Sequence, residues 1–235
     1  MKALIDCRAD ASLLSALKSH GFEPITIPPA DYLQAGIASH TDMLIFIGFD
    51  RLFCHTSYYE KNKSLIDSLA ACSQLTLTIS DEPVGAKYPS DVLFNACLIG
   101  NWLICNEKTV STLILDAAIE KKYEIINVPQ GYTKCSICTV SDNAIITADH
   151  PIATACKALG INVLEISEGY VALPPYSHGF IGGASGTCGD MVYFCGSLST
   201  HPDAGRIVDF CRAYGKTAIS LTDTALIDVG TIFFI

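Results

Sequence analysis

Four side chains are the candidate reactive groups of this sequence: His40, Asp42, Cys135 and His178. His40-Thr41-Asp42 places two side chains on one face of an extended segment, a spacing that suits an acid/base and its orienting carboxylate. A solvated histidine beside a loop-ending aspartate is the alternative. His178 precedes Gly179-Phe180-Ile181-Gly182-Gly183, where a linker enters a small-residue segment, and is the histidine best placed to face a cavity. Cys135 follows Lys134, whose ammonium can lower a thiol pKa, so it is the candidate nucleophile; a buried, inert thiol is the other reading. His150 and His201 each begin a His-Pro at the first turn of equivalent helices, a repeat that points to architecture. Asn95, Lys134, Ser185 and Asp228 hold comparable places in four small-residue segments and form the expected ligand-binding set, unless they only hydrogen-bond one another.

Two motifs carry less than they suggest. Cys135-Ser136-Ile137-Cys138 lacks the second Cys or His pair that structural zinc needs, and a strand would send its two thiols to opposite faces. Gly182-Gly183-Ala184-Ser185-Gly186 lacks the lysine of a phosphate loop and opens no helix. No metal and no cofactor is expected.

The elements that must position these residues recur. Five short apolar runs begin at Leu4, Leu44, Leu103, Ile145 and Val192, spaced 40, 59, 42 and 47 residues apart, and the step from Val192 round the ends to Leu4 is again 47. Such a closing step is what a chain whose termini meet inside one unit would give. Each run precedes a helical pattern. Asp10 caps the first, with Leu13, Leu14 and Leu17 on one face and Gly21 at its end, and the others are expected near 62–72, 109–122, 150–159 and 202–214. A β-branched strand follows every helix, at 25–27, 75–79, 123–126, 163–166 and 218–221, and strand, crossover helix, strand implies parallel pairing. A third, small-residue strand is expected at 91–97, 134–138, 181–186 and 226–231, with 32–37 a poor counterpart in the first unit. Small residues there suggest close packing at an axis; plain turns and edge strands are the alternative.

Composition sets the outer bounds. The chain has 235 residues, half of them hydrophobic, 17% charged, with a net charge of -9 and a mean hydropathy of +0.36. That apolar content suits elements buried on both faces, and no apolar run approaches the roughly 18 residues of a membrane span. Asp6 and Arg8 interrupt the N-terminus too early for a signal peptide, so a cytoplasmic location is expected. Eleven cysteines, an odd number set mostly in apolar contexts, read as free thiols. The acidic charge and the lack of a Lys/Arg cluster argue against a phosphate-binding surface. A small-molecule ligand is therefore expected, with no nucleic-acid or membrane partner, and no residue pattern specifies an oligomeric state.

A five-unit ring of about 47-residue ββαβ modules resembles the pentein superfamily, the α/β propeller of arginine and agmatine deiminases, dimethylarginine hydrolases, amidinotransferases and a non-catalytic ribosome anti-association factor. The stretches Asn127–Ser136, Ile145–Asp149 and Gly179–Gly186 are similar to an uncharacterised bacterial pentein-like group. The resemblance implies one domain over 1–235 with pseudo-fivefold symmetry. It also implies a site where a cysteine near the end of the last unit attacks a guanidinium carbon, a histidine moves protons, and carboxylates hold the cation. Here the last segment, Leu226 to Ile232, has no cysteine. The expected function is thus binding of a small guanidino or other nitrogenous molecule at the axis. The alternatives are a hydrolase or deiminase with a non-standard site and a non-catalytic protein-interaction module.

Overall fold

Ala3, Leu4 and Ile5 are all fully buried, yet they face two different cores: Leu4 packs toward the second unit, and Ala3 and Ile5 toward the fifth. This period-two alternation of a strand buried on both faces repeats in every unit of the computed structural model, which describes residues 1–235.

The first unit contains β1 (Lys2–Asp6), α1 (Ala11–Ser19) and β2 (Glu23–Ile27). The second has α2 (Thr41–Leu44), β3 (Ile45–Gly48), β4 (Arg51–His55), α3 (Thr56–Lys61), α4 (Lys63–Cys72) and β5 (Thr76–Ser80). Next come β6 (Cys97–Ile99), β7 (Trp102–Cys105), α5 (Thr112–Glu120) and β8 (Glu124–Asn127). The fourth comprises α6 (Thr133–Ser136), β9 (Cys138–Ser141), β10 (Ala144–Thr147), α7 (His150–Ala158) and β11 (Asn162–Glu165). The fifth has β12 (Ser185–Cys188), β13 (Met191–Phe194), α8 (Ala204–Ala213) and β14 (Thr217–Ser220), and β15 (Phe233–Phe234) completes the first sheet.

Each sheet has three strands: an inner strand paired antiparallel on one side and, across its helix, parallel on the other. Five hydrophobic clusters fill the five seams between neighbouring sheets. In the third unit Leu103 and Cys105 enter one seam and Ile104 the next; in the fifth, Val192 and Phe194 enter one and Tyr193 the other. A fully buried side chain such as Ile104 or Phe194 stabilises by roughly 1.5–3 kcal/mol, so each seam holds its two sheets together through many such contacts. The fifth seam joins last unit to first, where β15 pairs with β1 and Lys2 and Ile235 exchange backbone hydrogen bonds of 2.7 and 3.0 Å. The ring therefore closes at the chain ends. The longest helices have ten residues, and none is long and apolar enough to cross a membrane.

Two expectations need correction. Leu44-Ile45-Phe46 is not the inner strand of the second unit: β3 is its outer hairpin strand and β4 is the inner one. Leu52 lies 48 residues after Leu4 and 51 before Leu103, so the repeat is more even than the apolar runs suggested. The hairpin turns at Phe49 and Asp50, both at positive φ (58° and 59°), the backbone that two-residue hairpins usually give to Asn-Gly; Phe-Asp hides it. The small-residue segments at 91–97, 134–138, 181–186 and 226–231 are also not continuous strands. They are turns or single helical turns that lead into a strand, and the counterpart in the second unit's approach is α2 rather than residues 32–37.

Glu82 ties the second unit to the third. Its carboxylate accepts from Ser80 Oγ (2.8 Å), Thr112 N (2.8 Å), Thr112 Oγ1 (3.1 Å) and the Ser111 hydroxyl at the start of α5. Burial raises its pKa, but these donors outweigh that and hold it below the usual value. A lowered folded-state pKa contributes stability that is complete above the unfolded value, about 4.3, and is lost as pH falls through the folded one. Glu82→Gln should therefore cost about 1–2 kcal/mol at pH 7, allowing for partial exposure. The gap to wild type should close below about pH 4 in melts run across pH. A pH-independent gap would contradict this.

Candidate active site at the ring axis

Five short segments meet at the axis, one from each unit, and hydrogen bonds link them in a closed circuit. Asp42 N donates to Gly230 O (3.2 Å), Val229 N and Thr231 N to Gly183 O (3.1 and 2.9 Å), and Gly183 N to Cys135 O (2.8 Å). Lys134 N and Cys135 N donate to Asn95 Oδ1 (2.7 and 3.2 Å), and Asn95 Nδ2 returns to Asp42 O (3.2 Å). Small residues are needed because the segments nearly touch: a Cβ on Gly183 would lie 2.0 Å from Asp228 Oδ1, and Gly230, at φ +65°, is pressed against His40.

On one side of this layer lies a cavity of about 250 Å³. His40, Cys135 and Asp228 are buried in its floor, Tyr132, Tyr176 and Phe180 are among its walls, and His178 lies at its margin. Tyr132 and Phe180 stack at 6.0 Å, Tyr132 donates to Asp91 Oδ2 (2.7 Å), and Tyr176 donates to Gln34 Oε1 (2.9 Å). His178 pairs with Glu168 at 2.9 Å.

Asp42, buried behind the floor, joins two of its residues: one ligand atom each from His40, Asp42 and Cys135 lies within 4.8 Å of the others. The Cys135 thiol donates to Asp42 Oδ2 (3.2 Å) and accepts from Asn95 Nδ2 (3.0 Å); Thr231 Oγ1 also donates to Asp42 Oδ2 (2.7 Å). His40 sits between two buried carboxylates, Nε2 3.7 Å from Asp6 Oδ2 and Nδ1 3.7 Å from Asp228 Oδ1, with neither nitrogen hydrogen-bonded. Arg8 and Ser39 hold Asp6 (Ser39 Oγ at 2.7 Å), and the N–H groups of Phe180 and Gly230 hold Asp228 at 2.9 Å each.

Burial dominates the electrostatics. It raises the Cys135 thiol well above its usual pKa, helped by Asp42 and Asp228, so the resting group is a neutral thiol. It likewise raises Asp42, and lowers His40 against the pull of Asp42 and Asp6. Asp228 is pushed up to about 6 by burial, against its two N–H donors. Asp6 is held below the usual value because its bonds to Arg8 and Ser39 outweigh burial. The floor thus gathers carboxyl groups whose ionisation burial opposes, except Asp6, which Arg8 keeps ionised.

A family model for a family of unknown function, DUF6873, matches residues 4–233. This chain belongs to the DUF6873 family. No curated protein sequence matches it. Among solved structures, the DUF6873 chain is similar to dimethylarginine dimethylaminohydrolase from Pseudomonas aeruginosa, complexed with citrulline (9% identity, 94% of this chain and 92% of that one, TM-score 0.56). It is also similar to agmatine deiminase from C. jejuni (8%, 94% and 87%, 0.56) and to the amidinotransferase SxtG from Microseira wollei (10%, 92% and 77%, 0.57). The fold is the pentein propeller.

Not every candidate residue of the DUF6873 chain reaches one place. His40, Cys135 and Asp228 line the floor, Asp42 is buried behind Cys135, His178 stands at the margin, and Asn95 is buried beneath Cys135. Lys134 and Ser185 instead line a second cavity, of about 200 Å³, on the other side of the axial layer. The Lys134 ammonium donates to Ile137 O (3.2 Å) and Thr231 Oγ1 (3.5 Å) there, so it does not set the Cys135 thiol, which rises rather than falls. His40 and Asp42 do not share an extended face, since His40 precedes the single turn of α2 and Asp42 is within it; the carboxylates beside the imidazole are Asp6 and Asp228. Cys138 lies in β9 and packs in a different seam from Cys135. Asp6, Arg8, Tyr132, Phe180 and Thr231 were missed as site residues. Asp6 and Arg8 were the legible ones, being charges set at the end of a fully buried strand.

Proposed function

We propose that the DUF6873 chain takes a small guanidino or amidino cation into the axial cavity and attacks its central carbon with Cys135. The observation that carries this reading is a thiol and an imidazole in the floor of an aromatic-walled cavity, with a buried carboxylate within 4.8 Å of both. A planar cation suits both surroundings. The aromatic walls favour it through their faces, and Asp228 in the lining offers a carboxylate to the cation, with Asp42 buried behind it. The solved relatives named above include enzymes of dimethylarginine and agmatine, which supports the substrate class.

An arriving cation would oppose the burial and the carboxylates that now keep the thiol protonated. Cys135 passes its proton to His40, whose imidazolium lies between Asp6 and Asp228, and the sulfur adds to the carbon. The carbon–nitrogen bond breaks, and the leaving amine departs with the proton from His40. Water then adds to the amidino-thioether carbon and the carbon–sulfur bond breaks, returning the thiol and releasing a ureido or amide product. With no cysteine in the last segment, the nucleophile comes from another unit: Cys135 lies in the second axial segment after His40's own in chain order.

A thermal-shift screen of guanidino and amidino compounds tests the reading, since a ligand bound only to the native state raises Tm. A stabilising compound should also release ammonia or amine, and Cys135→Ser should keep the shift and lose product. No shift from any such cation would sink the proposal, whereas a shift without product would leave a binding module.

A further inference from the structure

We propose that His40, Asp42 and Cys135 also form a binding site for one soft divalent metal ion, Zn²⁺ in the first place. The site uses the same triad as the proposed function but does not depend on turnover. An imidazole, a carboxylate and a thiol are the donors zinc prefers, at about 2.0–2.3 Å from the metal. Tetrahedral donors then lie roughly 3–4 Å apart; Asp42 Oδ2 and Cys135 Sγ are already 3.2 Å apart, and the His40 nitrogen is within 4.8 Å of both. Small side-chain rotations close the remainder.

Three further observations favour a cation at this site. Both nitrogens of His40, whose side chain is 1% exposed, lack hydrogen-bond partners, as does the buried Asp42 Oδ1. Unpaired buried polar atoms are costly, and all of these border the triad. Whichever nitrogen takes the ion, the other faces a carboxylate, Asp6 or Asp228 at 3.7 Å, the arrangement that orients histidine ligands in metal sites. Finally, three protein donors leave a fourth position, and Cys135 and His40 both border the cavity, so that position opens toward it. On binding, the Cys135 S–H bond breaks, a sulfur–metal bond forms and the proton passes to solvent. Metal and organic cation are then alternative occupants of one buried site.

The sequence offers Cys135 only Cys138 as a nearby ligand, short of the four that structural zinc needs, and the two thiols pack in different seams. His40 and Asp42 come from another unit, 93 residues away in the case of Asp42.

Titration of the chelator-treated full chain with Co²⁺ under anaerobic conditions tests the proposal. One equivalent should bind with a thiolate-to-cobalt charge-transfer band, and Zn²⁺ should displace it. Cys135→Ser should abolish the band, His40→Gln should weaken binding at least about tenfold, and a Cys7→Ser, Cys72→Ser double variant should leave both unchanged. No band in wild type, or one that survives Cys135→Ser, would overturn the proposal. If Cys135→Ser fails to fold, alkylation mapping of wild type decides: Zn²⁺ must protect Cys135, and equal labelling with and without Zn²⁺ overturns it. Guanidino thermal shifts on metal-free protein report the proposed function separately, so either reading can fail alone.

Discussion

Asn95→Ala should lower the melting temperature by about 5–15 °C, the largest loss expected of any single side chain outside the seams. Asn95 is the one side chain that completes the axial circuit, all other links being backbone to backbone. Truncation removes the acceptor of two buried N–H groups, the donor to Asp42 O, and the amide volume itself, 1% exposed in the wild type. Each unsatisfied buried group costs about 1–3 kcal/mol, and partial relaxation brings the total to roughly 2–4 kcal/mol. For a chain of this length that converts at about 2–4 °C per kcal/mol. The variant should also lose any response to guanidino ligands, because α6 carries Cys135 and is held by Asn95. A calorimetric melt within 2 °C of wild type would show that the circuit is not a structural unit.

The ring was legible in the sequence for a physical reason. Inner strands buried on both faces must be apolar runs, and their recurrence with a 47-residue closing step is visible without any knowledge of contacts. The helices were legible too: Asp10 caps α1 by accepting from Leu13 N, as its position indicated. What misled was local backbone. The Phe49-Asp50 turn carries no glycine or asparagine signal, so β4 was passed over in favour of the outer strand. Small-residue segments read as strands because small residues fit an axis in either geometry, and only the packing against Gly182, Gly183 and Gly230 selects turns.

The site was half legible for a different reason. Candidate residues could be placed on the right segments, but a segment has two ends, and which cavity a side chain enters depends on one residue of phase. Lys134 and Cys135 are adjacent in sequence and open to opposite sides of the axial layer. The pKa of Cys135 could not follow from its neighbour in sequence when its neighbours in space are Asp42, Asn95 and Asp228. Chain order misled in the same way, since the relevant adjacency is round the ring.

If Cys135 is a nucleophile whose site recognises a planar cation, a cationic alkylating reagent should label it selectively. Chloroacetamidine and chloroacetamide carry the same electrophilic carbon, but only the amidine is cationic. In either reaction the Cys135 sulfur displaces chloride, with His40 taking the thiol proton. The Asp228 carboxylate in the cavity lining should concentrate the amidinium, and the bound amidinium should favour the thiolate beside it, an advantage on the order of a hundredfold, about 2.7 kcal/mol. Cys7 and Cys72 are exposed and provide an internal reference, since each should show little preference between the reagents beyond their intrinsic difference. Peptide mapping after timed exposure should find Cys135 modified first and chiefly by the amidine, with His40→Gln slowing that reaction and leaving Cys7 and Cys72 unaffected. A Cys135 that stays unmodified, or reacts with the same amidine-to-amide ratio as Cys7, would contradict the account.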